Sequence, residues 1–339
     1  MATFYAEQGS FPDAKRYYQQ ALGSIESDGG KDAPALVDVL NDFAWMLRGE
    51  NELSNAEMLL NRASEILHSE KQPDLIQWVR VSNNLGILFT QEGRYAEAEN
   101  SARFVLKIEQ QEFGVDNART YEALINVADL CEKQSKRAET ESFLEQALHA
   151  ISGQSDSILE RRDILERLRD LYREEKKAKE AEHILTKLTE LHEASKDVDP
   201  TELVDEYVEL ANIYGTEYQY EDEGKALARA LQILKVAGKP EDLRILDFLG
   251  FSFMDQKKFP DAEHTFQREL EVARAGKSPA DLTTALNSLS LFYFVEERYS
   301  EAEPLMKEWI AIMEQVAPSD KNIEIMRSRL ADVEVRLKK

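Results

Sequence analysis

The chain has 339 residues, with 42 Lys and Arg against 65 Asp and Glu, a formal net charge of −23. That surplus of carboxylates opposes the counterion release that drives polyphosphate binding, and no Lys/Arg-dense stretch offers a local exception, so nucleic acid is excluded as a partner. A hydrophobic content of 42% suffices for a core, while no stretch approaches the ~18 apolar residues of a membrane span. The opening Met1-Ala2-Thr3-Phe4-Tyr5-Ala6-Glu7 lacks a basic region followed by an apolar one, and Cys131 is the single cysteine. These features predict a cytoplasmic chain without membrane insertion.

Along the chain one pattern recurs. Phe11-Pro12-Asp13-Ala14, Tyr95-Ala96-Glu97-Ala98, Phe259-Pro260-Asp261-Ala262 and Tyr299-Ser300-Glu301-Ala302 each open an amphipathic stretch. The alanine position is filled by Ala14, Ala56, Ala98, Thr140, Ala181, Glu223, Ala262 and Ala302, at spacings of 42, 42, 42, 41, 42, 39 and 40. About a dozen residues before each lies a second apolar run, such as Leu85-Gly86-Ile87-Leu88-Phe89, so each repeat is predicted to be two helices. Ala2, Ala44, Gly86, Ala128, Ala211, Gly250 and Ser290 supply a small residue in the first helix, which lets two backbones approach. Four residues after the alanine position, Tyr18, Leu60, Leu144, Leu185, Leu227, Phe266 and Met306 fill the gaps on the same helical face.

Asp199-Pro200-Thr201-Glu202 and Ser278-Pro279-Ala280-Asp281 predict helix starts, each with a capping side chain, proline at the first helical position and a carboxylate three residues after the cap. Gly29-Gly30 with Pro34, Pro73, Gly153, and Gly238 with Pro240 mark other boundaries. Ser319 to Lys339 carries Ile323, Ile325, Met326, Leu330, Val333, Val335 and Leu337 and reads as a terminal cap. Met1 falls at the leucine-like position of the first helix, so half of that helix is missing and the chain reads as a candidate fragment of a larger protein.

Leu85, Gly86, Phe89, Tyr95, Ala98, Ala102 and Val105 resemble the signature positions of the tetratricopeptide repeat family. The longer period and Asn83-Asn84 are similar to the version found in kinesin light chain and related bacterial proteins. The resemblance covers roughly residues 1–318. It implies an all-α fold, a right-handed superhelix of about eight helix-turn-helix repeats, followed by a capping helix over 319–339. Arg169 and Glu223 stand where the family has small residues, so irregular packing is to be looked for around 165–225.

Catalytic chemistry is not expected. His68, His149, His183, His192 and His264 show no metal spacing. Gly276-Lys277-Ser278 resembles the end of a phosphate-binding loop, but Glu271 stands where that motif needs glycine. Cys131 occupies a slot filled by Phe89, Tyr172 and Tyr214 in other repeats and reads as a buried small hydrophobe. No cofactor and no metal are expected.

The resemblance implies a concave groove lined by first-helix residues. Carried over position by position, it holds Asn84, Asn126, Asp129, Arg167, Asp170, Asn212, Phe248, Phe251, Met254, Leu291 and Phe294. Asn84 and Asn126 would sit side by side and bind peptide backbone. Arg167 and Arg173 are expected to be engaged by neighbouring acids, and Phe248, Phe251, Met254 and Phe294 to anchor apolar side chains. The reading is a non-enzymatic scaffold that binds a peptide segment with basic and apolar residues; the alternative is a ligand- or peptide-sensing module of a larger signalling protein.

Overall fold

Small and large residues at helical spacing fold as helices throughout: the computed structural model describes residues 1–152, 158–195 and 198–338, and holds no strand among them. The helices group into two units, Met1–Glu174 and Glu175–Lys339. The first unit contains α1 (Ala2–Glu7), α2 (Phe11–Gly29), α3 (Leu36–Gly49), α4 (Leu53–Ser69), α5 (Leu75–Gln91), α6 (Tyr95–Phe113), α7 (Ala118–Lys133), α8 (Arg137–Ala150) and α9 (Ile158–Glu175), whose last residue opens the second unit. The second contains α10 (Ala178–Ala194), α11 (Pro200–Thr216), α12 (Tyr220–Val236), α13 (Leu243–Asp255), α14 (Phe259–Ala275), α15 (Pro279–Val295), α16 (Tyr299–Val316) and α17 (Asn322–Arg336). The break between the units falls inside the stretch where the small-residue pattern lapses.

Each helical pair is closed by one left-handed residue. Gly9, Asn51, Gly93, Ser135, Lys176, Tyr218, Lys257 and Glu297 take φ between 56° and 75°, and each lies five positions before the alanine position. The next N–H then donates back across the turn, as from Arg94 to the Phe89 carbonyl at 2.8 Å and from Arg298 to the Tyr293 carbonyl at 2.8 Å, which satisfies carbonyls at the helix end. First helices are capped by side chains. Asp74 accepts from the Ile76 N–H at 2.8 Å, Asn117 from Arg119 at 2.9 Å and Asp242 from Arg244 at 2.9 Å. The expected starts are observed too: Asp199 accepts from the Thr201 N–H at 2.8 Å and Ser278 from Asp281 at 3.3 Å. Gly276-Lys277-Ser278 is the turn before α15, and Gly153 lies outside the described residues.

Ala14, Ala56, Ala98, Ala262 and Ala302 are fully buried, as are the large residues four positions on, from Leu60 to Phe266. Glu223 replaces a small residue without breaking its hairpin because Gly215 makes room: a Cβ there would fall 2.8 Å from the Glu223 carboxylate. Arg169 turns its guanidinium to Asp170 at 3.1 Å. At the far end, α17 buries Ile323, Met326 and Val333. Ile325, Val335 and Leu337, also among the apolar residues of this cap, are exposed.

Candidate partner-binding groove

The first unit holds a cavity beside an unusually small side chain. Where the other repeats place Tyr18, Leu60, Leu144, Leu185, Leu227, Phe266 or Met306, the third has Ala102. A space of about 640 Å³ lies there, with Gly86, Ile87, Ala98 and Ala102 among its lining and Asn83, Asn126 and Lys133 from the first helices. Gly86 adds to it, since a Cβ there would find no atom nearer than 3.7 Å. A second cavity of about 390 Å³ is lined by Ala6, Phe11, Tyr18 and Trp45. Arg48 lines both. Its guanidinium lies 4.0 Å over the Trp45 ring, and that ring is 49% exposed, a geometry suited to cation–π attraction.

The charge of this space differs from that of the chain. Arg48 has a buried Nε with no hydrogen-bond partner, and Lys133 lies 5.9 Å from the Tyr95 ring centre. Among the described residues, no carboxylate pairs with either cation. Asp129, also lining the cavity, is engaged by Arg167 at 2.8 Å, and the same Arg167 reaches Glu132 at 2.7 Å. Burial works against the charge of Arg167, but Glu132 and Asp129 outweigh it and raise its pKa.

The residues read as a groove separate into three groups. Asn126 lines the cavity, but Asn84 donates at 2.7 Å to Asn41 of the preceding repeat, and the amide lining the cavity with Asn126 is that of Asn83. Asn84 is thus engaged by the preceding repeat, while Asn83 and Asn126 line the cavity. Asp129, Arg167 and Asp170 are tied up in ion pairs, Asp170 with Arg169 and with Arg173 at 3.3 Å. In the second unit, Asn212 is exposed on α11 and Phe248 is 43% exposed on α13. Phe251 meets the Phe266 ring edge-on at 5.1 Å, and Phe294 meets Tyr299 at 5.9 Å. Met254 and Leu291 are half-buried, so these four line the edge of the core and Phe248 is the open aromatic. The final helix reaches this region: Arg336 donates to the Tyr299 hydroxyl at 2.7 Å.

One cluster of possible ligands serves another end. Glu99, Cys131 and Glu139 converge, but Lys136 donates to Glu99 at 2.6 Å and Gln134 does so at 2.7 Å. Arg103 bonds both Glu99 and Glu139, so cations already occupy the carboxylates. Burial pushes the Cys131 thiol up to about 11, an inert thiol by that measure. His192 is buried with its Nδ1 2.8 Å from Glu206.

Paired helices closed by a repeated turn, packed through small residues, define a helical-hairpin repeat protein. Residues 1–68 and 79–150 match the model of the tetratricopeptide repeat family. The fold is similar to that in the structure of Naa15/Naa10 bound to HypK-THB, at 16% identity and a TM-score of 0.51, over 98% of this chain and 50% of that one. Weaker similarity extends to a putative kinesin light chain with TPR-like repeats from Podosopora anserina (16% identity, TM-score 0.37, 59% of this chain and 97% of that one). It extends also to the TPR2AB-domain:pHSP90 complex of yeast Sti1 (16%, 0.39, 88% and 99%). No curated protein matches the sequence. No helix of the described residues is long and apolar enough to cross a membrane.

Proposed function

We propose that the chain is a non-catalytic interaction scaffold whose first unit holds a segment of a partner protein in the cavity beside Ala102. One observation carries this reading: a space of about 640 Å³ among Gly86, Ala98 and Ala102 borders two cations, Arg48 and Lys133, that have no carboxylate of their own. An apolar side chain fills such a floor, Asn83 and Asn126 can exchange hydrogen bonds with its backbone, and a carboxylate or carbonyl satisfies the cations. The basic residues expected of the partner have no counterpart here, because Asp129 and Asp170 are already neutralised by arginines. Phe248 supplies a separate apolar contact on the second unit.

The test is selection of a displayed random peptide library on the full chain, followed by affinity measurement with the selected peptides. The expected consensus sets an apolar residue beside an acidic one. Replacing Arg48 and Lys133 together with alanine should weaken binding by at least about tenfold, the effect of losing ~1.4 kcal/mol. Undiminished binding to that variant refutes the assignment. The second reading, a ligand-sensing module, is favoured by the cavity volume, which lies in the range of small-molecule sites; a metabolite that protects α5–α7 from amide exchange without peptide would establish it.

A further inference from the structure

Among the described residues, four glutamates are almost completely buried: Glu99, Glu109, Glu206 and Glu269. Three have a basic partner. Lys136 and Arg103 hold Glu99, Arg119 holds Glu109 at 3.2 Å, and the His192 imidazole lies 2.8 Å from Glu206. Glu269 differs. It stands on α14 at a slot filled elsewhere by Ala63, Val105, Ala147, Leu188, Ala230 and Trp309, it is 1% exposed, and its Oε2 has no hydrogen-bond partner. The charged group that acts on it is another acid, Asp247 of α13, which accepts from the Ser288 hydroxyl of α15 at 2.6 Å.

The cations of the packed elements are directed elsewhere. Arg244 of α13 goes to Asp242, Arg268 of α14 to Glu241 and Glu271, Arg274 to Glu308, and Arg298, at the start of α16, to Glu263 and Glu301. His264 of α14 is exposed. On α12, Glu223 faces the other end of α13 near Asp255 and adds a further acid rather than a base.

We propose that buried Glu269 is a proton-operated latch, which lets α14 stay packed against α13 and α15 while it retains a proton and loosens them when its carboxyl and that of Asp247 are both ionised. A protonated acid can be buried at modest cost, whereas two carboxylates without a counterion cannot. Burial, with Asp247 adding to it, pushes the Glu269 carboxyl up to about 8. In the unfolded chain the same group titrates near 4.3. The stabilisation is therefore complete below about pH 4 and is lost as pH rises towards the folded value, with the opening equilibrium growing by about tenfold per pH unit in between. Because α13 carries Phe248, the loosening reaches an exposed face.

The latch is read on the free protein, so it stands or falls apart from the partner-binding proposal. Amide exchange of the full chain at pH 6, 7 and 8, corrected for the intrinsic rate, should show opening of α13–α15 rising about tenfold from pH 6 to 7 and about fivefold from 7 to 8, with α3–α7 lacking that rise. Glu269→Gln should abolish the rise. A wild-type chain without it, or a variant that keeps it, overturns the proposal. If the variant loses helicity, the infrared spectrum of the wild type decides: a protonated-carboxyl band that fades between about pH 7 and 9 supports the latch, and absence of that band at neutral pH refutes it.

Discussion

Gly86 in the first unit and Gly250 in the second occupy the same position of their repeats, yet their surroundings are opposite. A Cβ on Gly86 would meet its nearest atoms at 3.7 Å, whereas one on Gly250 would fall 2.4 Å from the Phe266 ring. The difference lies in the partner helix, where Ala102 stands in one repeat and Phe266 in the other. One backbone arrangement thus yields a cavity where a single slot is small and an aromatic core where it is large. In the second unit Phe266 is in contact with Phe251 at 5.1 Å and with Phe292 at 5.9 Å.

Exchanging the sizes should therefore act with opposite sign. Phe266→Ala removes a fully buried ring and is expected to cost about 3–5 kcal/mol, read as a lower urea midpoint. Ala102→Leu should raise the midpoint, by about 0.5–2 kcal/mol for a filled cavity, while abolishing capture of the peptides selected on the wild type. If Ala102→Leu leaves that capture intact, the cavity is not the binding site.

The two units should also respond oppositely to pH. In the first, burial pushes the Glu99 carboxyl up, but hydrogen bonds from Lys136, Arg103 and Gln134 outweigh this and hold it at about 2. Its folded pKa is below the unfolded one, so its contribution is present above about pH 4.5 and is lost as pH falls to the folded value. The loss is about 3 kcal/mol over that window, and Glu99→Gln should flatten the acid limb of a stability profile. In the second unit the weakening comes on the alkaline side, through Glu269. A wild-type acid limb unchanged by Glu99→Gln would show that the cluster is already neutral in its interactions.

Much of this was written in the sequence, and what was not has a physical reason. The alanine series and the large residues four positions on set the helical pairs, because burial at helical spacing leaves a periodic trace. The same alignment carried the cavity, as the one repeat with Ala102 in a large slot, and the latch, as the one repeat with Glu269 in a slot that is otherwise apolar; both are departures from a pattern and stand out when the repeats are compared slot by slot. The bonding partner of Asn84 could not be read this way. Asn84 bonds one position off its slot, to Asn41, and Ser288 bonds Asp247 by the same step, whereas Arg80 reaches Asp38 slot to slot. Phe251 and Phe294 looked free because the nominal core slots were filled, yet their rings are large enough to reach core neighbours from outside them. Arg48 was invisible because its lack of a carboxylate depends on where every acid in the unit ends up.

The smallest expected effect concerns the turns, where the units again differ. The first unit places Gly9, Asn51, Gly93 and Ser135 at the left-handed position, and the second places Lys176, Tyr218, Lys257 and Glu297 there, with φ values of 56° to 61°. Glycine and asparagine adopt that conformation readily, whereas other side chains meet the following carbonyl at a cost of roughly 1–2 kcal/mol. Glycine returns part of this gain as backbone entropy in the unfolded chain, about 0.5–1 kcal/mol. Lys257→Gly should therefore stabilise the chain by about 0.5–1 kcal/mol, seen as a small rise in the urea midpoint. Gly93→Ala in the first unit should lower it by a similar amount. The two changes test one backbone geometry from both sides, and a midpoint that falls for Lys257→Gly would mean that the lysine contributes more through its contacts than the turn loses through strain.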